Sequence, residues 1–162
     1  MMGNLGLIFI ILISLSPLNG VKSENMPDER MAVSWHQEIK TGPLQKKIDQ
    51  LRENEILLLP KGIYVGPIVI RIPGVTLKGE PGTVITAGEK DSVIVVEAEN
   101  VTIKNLKITG SGISYTQADA GIALRSVDNV KLLNNEIVDC LFGIDVYSGK
   151  NLLIEGNTIS SK

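Results

Sequence analysis

The stretch GIALRSVDNVKLLNNEIVDCLF, residues 121–142, aligns with GIDVYSGKNLLIEGNTISSK, residues 143–162, at an offset of 22. Gly121/Gly143, Ile122/Ile144, Leu124/Val146, Asn129/Asn151, Val130/Leu152, Leu132/Ile154, Asn135/Asn157 and Ile137/Ile159 agree in type and in phase. Towards the N-terminus, Val101-x-Ile103 and Ile108 continue the same columns at an offset of 29, and Val75-x-Leu77 precedes them at a further offset of 26. The longest step signals an insertion of about seven residues around Gly112 to Ala118. Short apolar alternations separated by Gly and Asn corners at a fixed period cannot bury their apolar face singly, and stacking solves this. The architecture that follows is a right-handed parallel β-helix, one turn per repeat.

In that architecture Val75, Val101, Val130 and Leu152 form one inward column, and Leu77, Ile103, Leu132 and Ile154 form the next. Asn129 over Asn151 and Asn135 over Asn157 make corner columns, where a side-chain amide bonds between turns and tolerates left-handed backbone. These asparagines are scaffold. Ile56-x-Leu58 begins an earlier, less regular turn, giving about four turns in all. Ahead of it, Leu44, Ile48 and Leu51 fall on one face of a helix over 43–53 that starts at Pro43, with Gln45, Lys46, Lys47, Asp49 and Gln50 opposite. That face suits a cap on the open N-terminal end of the apolar cylinder. At the other end Ile159 completes a column just before the chain ends at Lys162, with no polar cap in between. The expectation is a chain truncated at its C-terminus, the N-terminal part of a longer solenoid.

The chain has 162 residues, 43% of them hydrophobic and 4% aromatic, with 16 Lys+Arg against 18 Asp+Glu for a net charge of -2. This describes one domain with no basic stripe for nucleic acid. The single cysteine, Cys140, allows no intrachain disulfide, and the single histidine, His36, allows no multi-imidazole metal site within the chain. Leu5 to Leu18 is uncharged and apolar but short of the roughly 20 residues of a membrane span, which fits a signal peptide over residues 1–20 and export to the periplasm. Residues 21–42 read as a flexible leader. Met26, Met31 and His36 within it are soft copper-ligand types, yet their irregular spacing points to coincidence.

Within the turns, the candidates for chemistry are few. With Ile122, Leu124, Ile144 and Val146 inward, the outward set is Asp119, Gly121, Ala123 and Arg125 on one turn and Leu141, Gly143, Asp145 and Tyr147 on the next. Arg125 stacks on Tyr147, with Asp145 diagonal to it as a surface ion-pair partner. Asp119 and Asp145 fall about 14 Å apart at about 3.3 Å per strand residue, beyond the roughly 5–9.5 Å of a glycosidase carboxylate pair. Asp119 is better placed to shape the turn that closes the insertion. Cys140, whose equivalent one repeat earlier is Ala118, reads as a packing residue. A loop leaving a regular wall is where binding concentrates, so Gly110, Ser111, Gly112, Tyr115 and Asp119 are the partner-contact candidates; no catalytic, cofactor or metal residue is assigned.

Several runs carry a family resemblance. Leu44-Gln45, the LPKGIYVGP run of residues 59–67, Leu77-Lys78-Gly79-Glu80-Pro81-Gly82, Gly110-Ser111-Gly112, Asp119-Ala120-Gly121-Ile122 and Leu141-Phe142-Gly143-Ile144 resemble, in this order and spacing, the N-terminal half of the NosD family. The resemblance covers residues 43–162, and its most specific part is the long turn that opens Gly-Ser-Gly and closes Asp-Ala-Gly-Ile. It implies an exported, non-enzymatic β-helix that assists maturation of the copper–sulfur centre of nitrous-oxide reductase, with a NosF/NosY-like ABC transporter and the reductase as partners. By this resemblance alone, copper or a sulfur species is a possible ligand, and membrane contact runs only through the transporter or an uncleaved signal. Two other classes remain open. One is a carbohydrate-active solenoid of the pectin-lyase-like kind acting as lyase, epimerase or hydrolase; the other is a structural surface solenoid.

Overall fold

The computed structural model describes residues 44–162. The segments read as a signal peptide and a leader, with the residues weighed for copper, and Pro43 lie outside the described residues. Among the described residues no helix is long and apolar enough to cross a membrane.

The chain opens with α1 (Leu44–Asp49) and continues with strands only: β1 (Ile56–Leu59), β2 (Gly62–Val65), β3 (Ile68–Ile70), β4 (Thr76–Gly79), β5 (Thr83–Thr86), β6 (Ile94–Val96), β7 (Thr102–Lys104), β8 (Lys107–Thr109), β9 (Ala120–Asp128), β10 (Lys131–Leu133), β11 (Glu136–Cys140), β12 (Phe142–Lys150), β13 (Leu153–Glu155) and β14 (Thr158–Ser161). Every third strand stacks on the one before it. The first sheet has the order β1-β4-β7-β10-β13, the second β2-β5-β8-β11-β14 and the third β3-β6-β9-β12. All pairings are parallel. The all-β solenoid expected from the repeat is the fold, but two sheets hold five strands each and the third holds four, so it has about five turns where the repeat suggested about four.

The core is a set of like-on-like apolar ladders. Leu57, Leu77, Ile103, Leu132 and Ile154 pair in register along the first sheet. Tyr64, Ile85, Ile108, Ile137 and Ile159 do so along the second, and Ile68, Ile94, Ile122 and Ile144 along the third. Inner members such as Leu77, Ile103, Ile108 and Ile122 are fully buried, each contributing about 1.5–3 kcal/mol of transfer free energy. The ladder over Val75, Val101 and Val130 is equally buried, as the alternation requires.

The first turn departs from expectation. Ile56 and Leu58 are exposed, and it is Leu57 and Leu59 that point inward. The run Ile56–Leu59 is apolar at every position, so it carries no alternation to set its phase; pairing with β4 sets it. The helix is also shorter than expected, ending at Asp49 rather than reaching 53. Leu44 and Ile48 are buried by it, while Leu51, past its end, is only half-buried. Gln45, assigned to the solvent face, instead turns onto β3 and bonds Val69.

The corners explain the asparagines. Asn100, Asn129 and Asn151 occupy left-handed backbone with φ of 59°, 53° and 51°, a region that Asn tolerates better than most residues. Asn129 Nδ2 donates to Asn100 Oδ1 at 2.7 Å, but Asn151 Nδ2 donates to Asp128 Oδ1 at 2.8 Å rather than to Asn129. In the other column Asn135 Nδ2 donates to Asn157 Oδ1 at 2.9 Å. There the left-handed positions are the preceding residues Asn105, Asn134 and Gly156, which leaves Asn135 free to turn its amide inward.

Candidate partner-contact loop

The insertion leaves the wall between β8 and β9. Val138 pairs with Thr109 and Phe142 with Ala120, so residues 112–119 stand against the single residue Leu141 of the next turn. Cys140 therefore lies over Ser111. Counting back by one regular repeat to Ala118 runs across the insertion and gives the wrong neighbour.

The departure is built on small residues. Gly110 turns with φ of 71°, which glycine adopts without cost. Gly112 has no room for a side chain, since a Cβ there would collide with the Asp119 carboxylate and lie 2.7 Å from Asp91 N. The N–H of Gly112 donates to Asp91 O at 2.8 Å, pinning the loop to the turn below. Ser111 is buried, donates to Gly112 O at 3.1 Å and accepts the Leu141 N–H at 2.9 Å, pinning it to the turn above. Lys162 Nζ adds a bond to Ser111 O at 2.9 Å.

Asp119 closes the loop from beneath. Its Oδ2 accepts the Ser114 N–H at 2.8 Å, its own N–H donates to Ser114 O at 3.1 Å, and its carbonyl accepts the Phe142 N–H at 3.1 Å. The role in the closing turn is as expected, but Asp119 is only 4% exposed and does not belong to the outward set. Gly121 and Ala123, also assigned outward, are buried too. Beyond the clamp, Ser114 Oγ accepts the Gln117 N–H at 3.3 Å and meets Thr116 Oγ1 at 3.1 Å. The Ala118 N–H donates to Tyr115 O at 3.3 Å.

Of the five candidates, Gly110, Ser111, Gly112 and Asp119 are thus the buried frame of the loop, and only Tyr115 is presented to solvent, 75% exposed. The structure adds two residues that the sequence reading did not select. Ile113 is 71% exposed on the same loop. Phe142 on the next turn meets the Tyr115 ring edge to face, with centroids 6.0 Å apart and planes at 89°. The signal for Phe142 was available: it stands one turn above Ala120, an aromatic where the repeat holds a methyl.

The other candidate groups are engaged elsewhere. Arg125 Nη1 meets Asp145 Oδ2 at 2.6 Å and Leu124 O at 3.2 Å, and Tyr147 lies in register above Arg125. Asp119 and Asp145 are thus committed to different partners. Copper finds no fitting donors among the described residues. Cys140 is buried with its thiol donating to Val138 O at 3.3 Å, burial raises its pKa, and no three His, Cys, Asp or Glu side chains converge.

A second surface feature escaped the sequence reading. Val96 pairs with Leu124, and Asn129 bonds Asn100. The path from Leu124 to Asn129 is one residue longer than the path from Val96 to Asn100, so the corner gains a residue at this turn. Ser126 and, one turn on, Ser148 take it up with φ of 53° and 62°. The step opens a groove of about 480 Å³ lined by Arg71, Glu97, Glu99, Ser126, Asp128 and Lys150 among others.

No curated protein matches the chain. Among solved structures, a pectin methylesterase mutant in complex with a hexasaccharide shares the fold, with a TM-score of 0.61 and 17% identity. The match covers 73% of this chain and 44% of that one, so the chain spans less than half of its length. Residues 75–162 match the family described as the right handed beta helix region. That match takes in the whole stack from Val75 through the insertion to the last turn, and the chain belongs to this right-handed β-helix family.

Proposed function

We propose that the chain is a non-catalytic accessory protein of the NosD kind, working in the periplasm and contacting its partner through the insertion loop. The observation that carries this reading is the loop itself. It is braced to the turns below and above by Gly112, Ser111 and Asp119, and it lifts Tyr115 off an otherwise regular wall. Rigid presentation of an exposed aromatic serves recognition, because little side-chain entropy is lost on contact. The carboxylates of Asp119 and Asp145, the pair weighed for acid–base chemistry, are already bonded to Ser114 and Arg125, which supports a binding role over acid–base chemistry. By the same resemblance, the partners are nitrous-oxide reductase and an ABC transporter.

The test is to replace residues 112–118 by a short turn in the full-length protein and follow assembly of the reductase's copper–sulfur centre by its visible absorption. Loss of the centre at unchanged protein level is the expected result; normal assembly would overturn the reading. A carbohydrate-binding role is favoured by one observation, the polar groove beside Ser126. Calorimetry with neutral and uronic hexasaccharides separates that reading from the first.

A further inference from the structure

The insertion differs from the rest of the wall in charge. The sheets display ion pairs between successive turns: Arg71 with Glu97 at 2.8 Å, Lys107 with Glu136 at 2.7 Å and Arg125 with Asp145. Residues 110–118, GSGISYTQA, contain no charged side chain. Their exposed apolar groups are Ile113 and Tyr115, and the Tyr115 ring leans on Phe142 of the next turn. The tip is thus shared between two turns, with the Tyr115 ring held edge to face on Phe142.

The base of the loop is acidic. Its backbone anchors are the Gly110 carbonyl with the Glu89 N–H, the Gly112 N–H with the Asp91 carbonyl and the Gly110 N–H with the Asp139 carbonyl. Glu89, Asp91 and Asp139 are all exposed and outnumber the two cations at the base, Lys90 beside the anchors in sequence and Lys162, whose Nζ bonds Ser111 O. An uncharged aromatic centre within a charged border is the anatomy of a protein-contact site, where the centre supplies affinity and the border orientation.

Resting on the reading that this loop is the partner contact, we infer that Ile113, Tyr115 and Phe142 form the contact epitope, and that it seats in an apolar pocket rimmed by Lys or Arg on a partner protein. The border carries no polybasic cluster of the kind that draws a segment to an anionic membrane, which favours a protein over lipid as the occupant of the same apolar tip.

The full-length protein carrying photoreactive benzoylphenylalanine in place of Tyr115 is irradiated in cells, with the same probe at Lys78 as control. The protein captured only from position 115 is then purified and its binding to the chain measured. Tyr115→Ala and Phe142→Ala are expected to weaken binding at least tenfold through faster dissociation. Glu89→Lys with Asp139→Lys is expected to slow association and flatten its salt dependence. Capture equal at both positions, a Tyr115→Ala effect under twofold, or binding of the chain to phosphatidylglycerol vesicles that depends on Tyr115 would each overturn the inference. If the captured protein is neither the reductase nor the transporter while these effects hold, the maturation role fails and the epitope stands.

Discussion

Gln45 meets the main chain of Val69 with both ends of its amide, Nε2 donating to Val69 O at 2.9 Å and Oε1 accepting the Val69 N–H at 2.7 Å. Val69 lies on β3, the edge strand of the third sheet, so the side chain does there what a neighbouring strand would do. An open edge is a template for pairing with another chain. Helix α1 therefore blocks the first turn by apolar burial through Leu44 and Ile48 and by hydrogen bonding through Gln45.

Replacing Gln45 by alanine removes both bonds and frees the edge. The expected cost is about 1–3 kcal/mol, the usual range when backbone groups lose partners on one side. Urea denaturation measures it, and light scattering is expected to rise with time as freed edges associate. A Gln45→Ala variant as stable and as clear in solution as the parent would show that the apolar face of α1 is sufficient.

The stacking direction and the inward columns were readable because like residue types recur one turn apart, the direct imprint of parallel in-register pairing, and the cap because Leu44 and Ile48 recur at helical spacing. Ile56–Leu59 was misread because phase requires polar residues between the apolar ones, and that run has none. The loop was locatable because an insertion breaks the period, but which of its residues frame it and which face outward was not. Gly110, Ser111 and Asp119 stood out by type, and those same properties, small size and hydrogen-bonding capacity, suit them to the buried frame. Ile113 carries no such mark, and Phe142, though marked as an aromatic over Ala120 in the repeat, meets Tyr115 only through the three-dimensional neighbour relation across the insertion.

Asn135 is the most heavily engaged polar side chain of the core. It is 2% exposed, and its Nδ2 donates to Ile103 O at 3.0 Å as well as to Asn157. Its Oδ1 accepts the Leu106 N–H at 3.2 Å. Asn135→Ala leaves a buried N–H and a buried carbonyl short of partners, each costing about 1–3 kcal/mol. A loss of several kcal/mol in chemical denaturation is expected, whereas Asn129→Gly, which keeps the left-handed corner and removes only the exposed bond to Asn100, is expected to cost under about 1.5 kcal/mol. Equal losses would contradict the assignment of Asn135 as a core bridge.

Alkaline solutions test the burial of two weak acids. Burial raises the pKa of the Cys140 thiol, with the Ser111 bonds opposing it in part. Burial and, secondarily, the charge of Glu80 raise that of the Tyr64 phenol. A raised folded-state pKa means that the unfolded chain ionises first. The stabilisation is thus complete below the ordinary thiol value of about 8.5 and is lost as pH climbs past it, with the phenol adding its share above about 10. The urea midpoint is expected to fall above about pH 8.5, and Cys140→Ser with Tyr64→Phe to flatten that fall relative to the parent. An unchanged slope in the double variant would place the alkaline sensitivity elsewhere.

Asp119 separates loop order from solenoid stability. Its carboxylate and N–H clamp Ser114 from two sides, and its own carbonyl joins the Phe142 N–H in the ladder. Only the first of these depends on the side chain. Asp119→Ala therefore removes the Ser114 N–H acceptor but keeps the backbone register, and Asp119→Asn retains an amide oxygen at the same place. Hydrogen exchange read by mass spectrometry is expected to show residues 112–118 losing protection in Asp119→Ala and largely keeping it in Asp119→Asn. Ile122, Leu124 and Ile137, fully buried in the ladders, are expected to exchange as in the parent in both variants. If protection fell throughout β9 as well, the carboxylate would be holding the strand rather than the loop, and Tyr115 would owe its presentation to the solenoid wall.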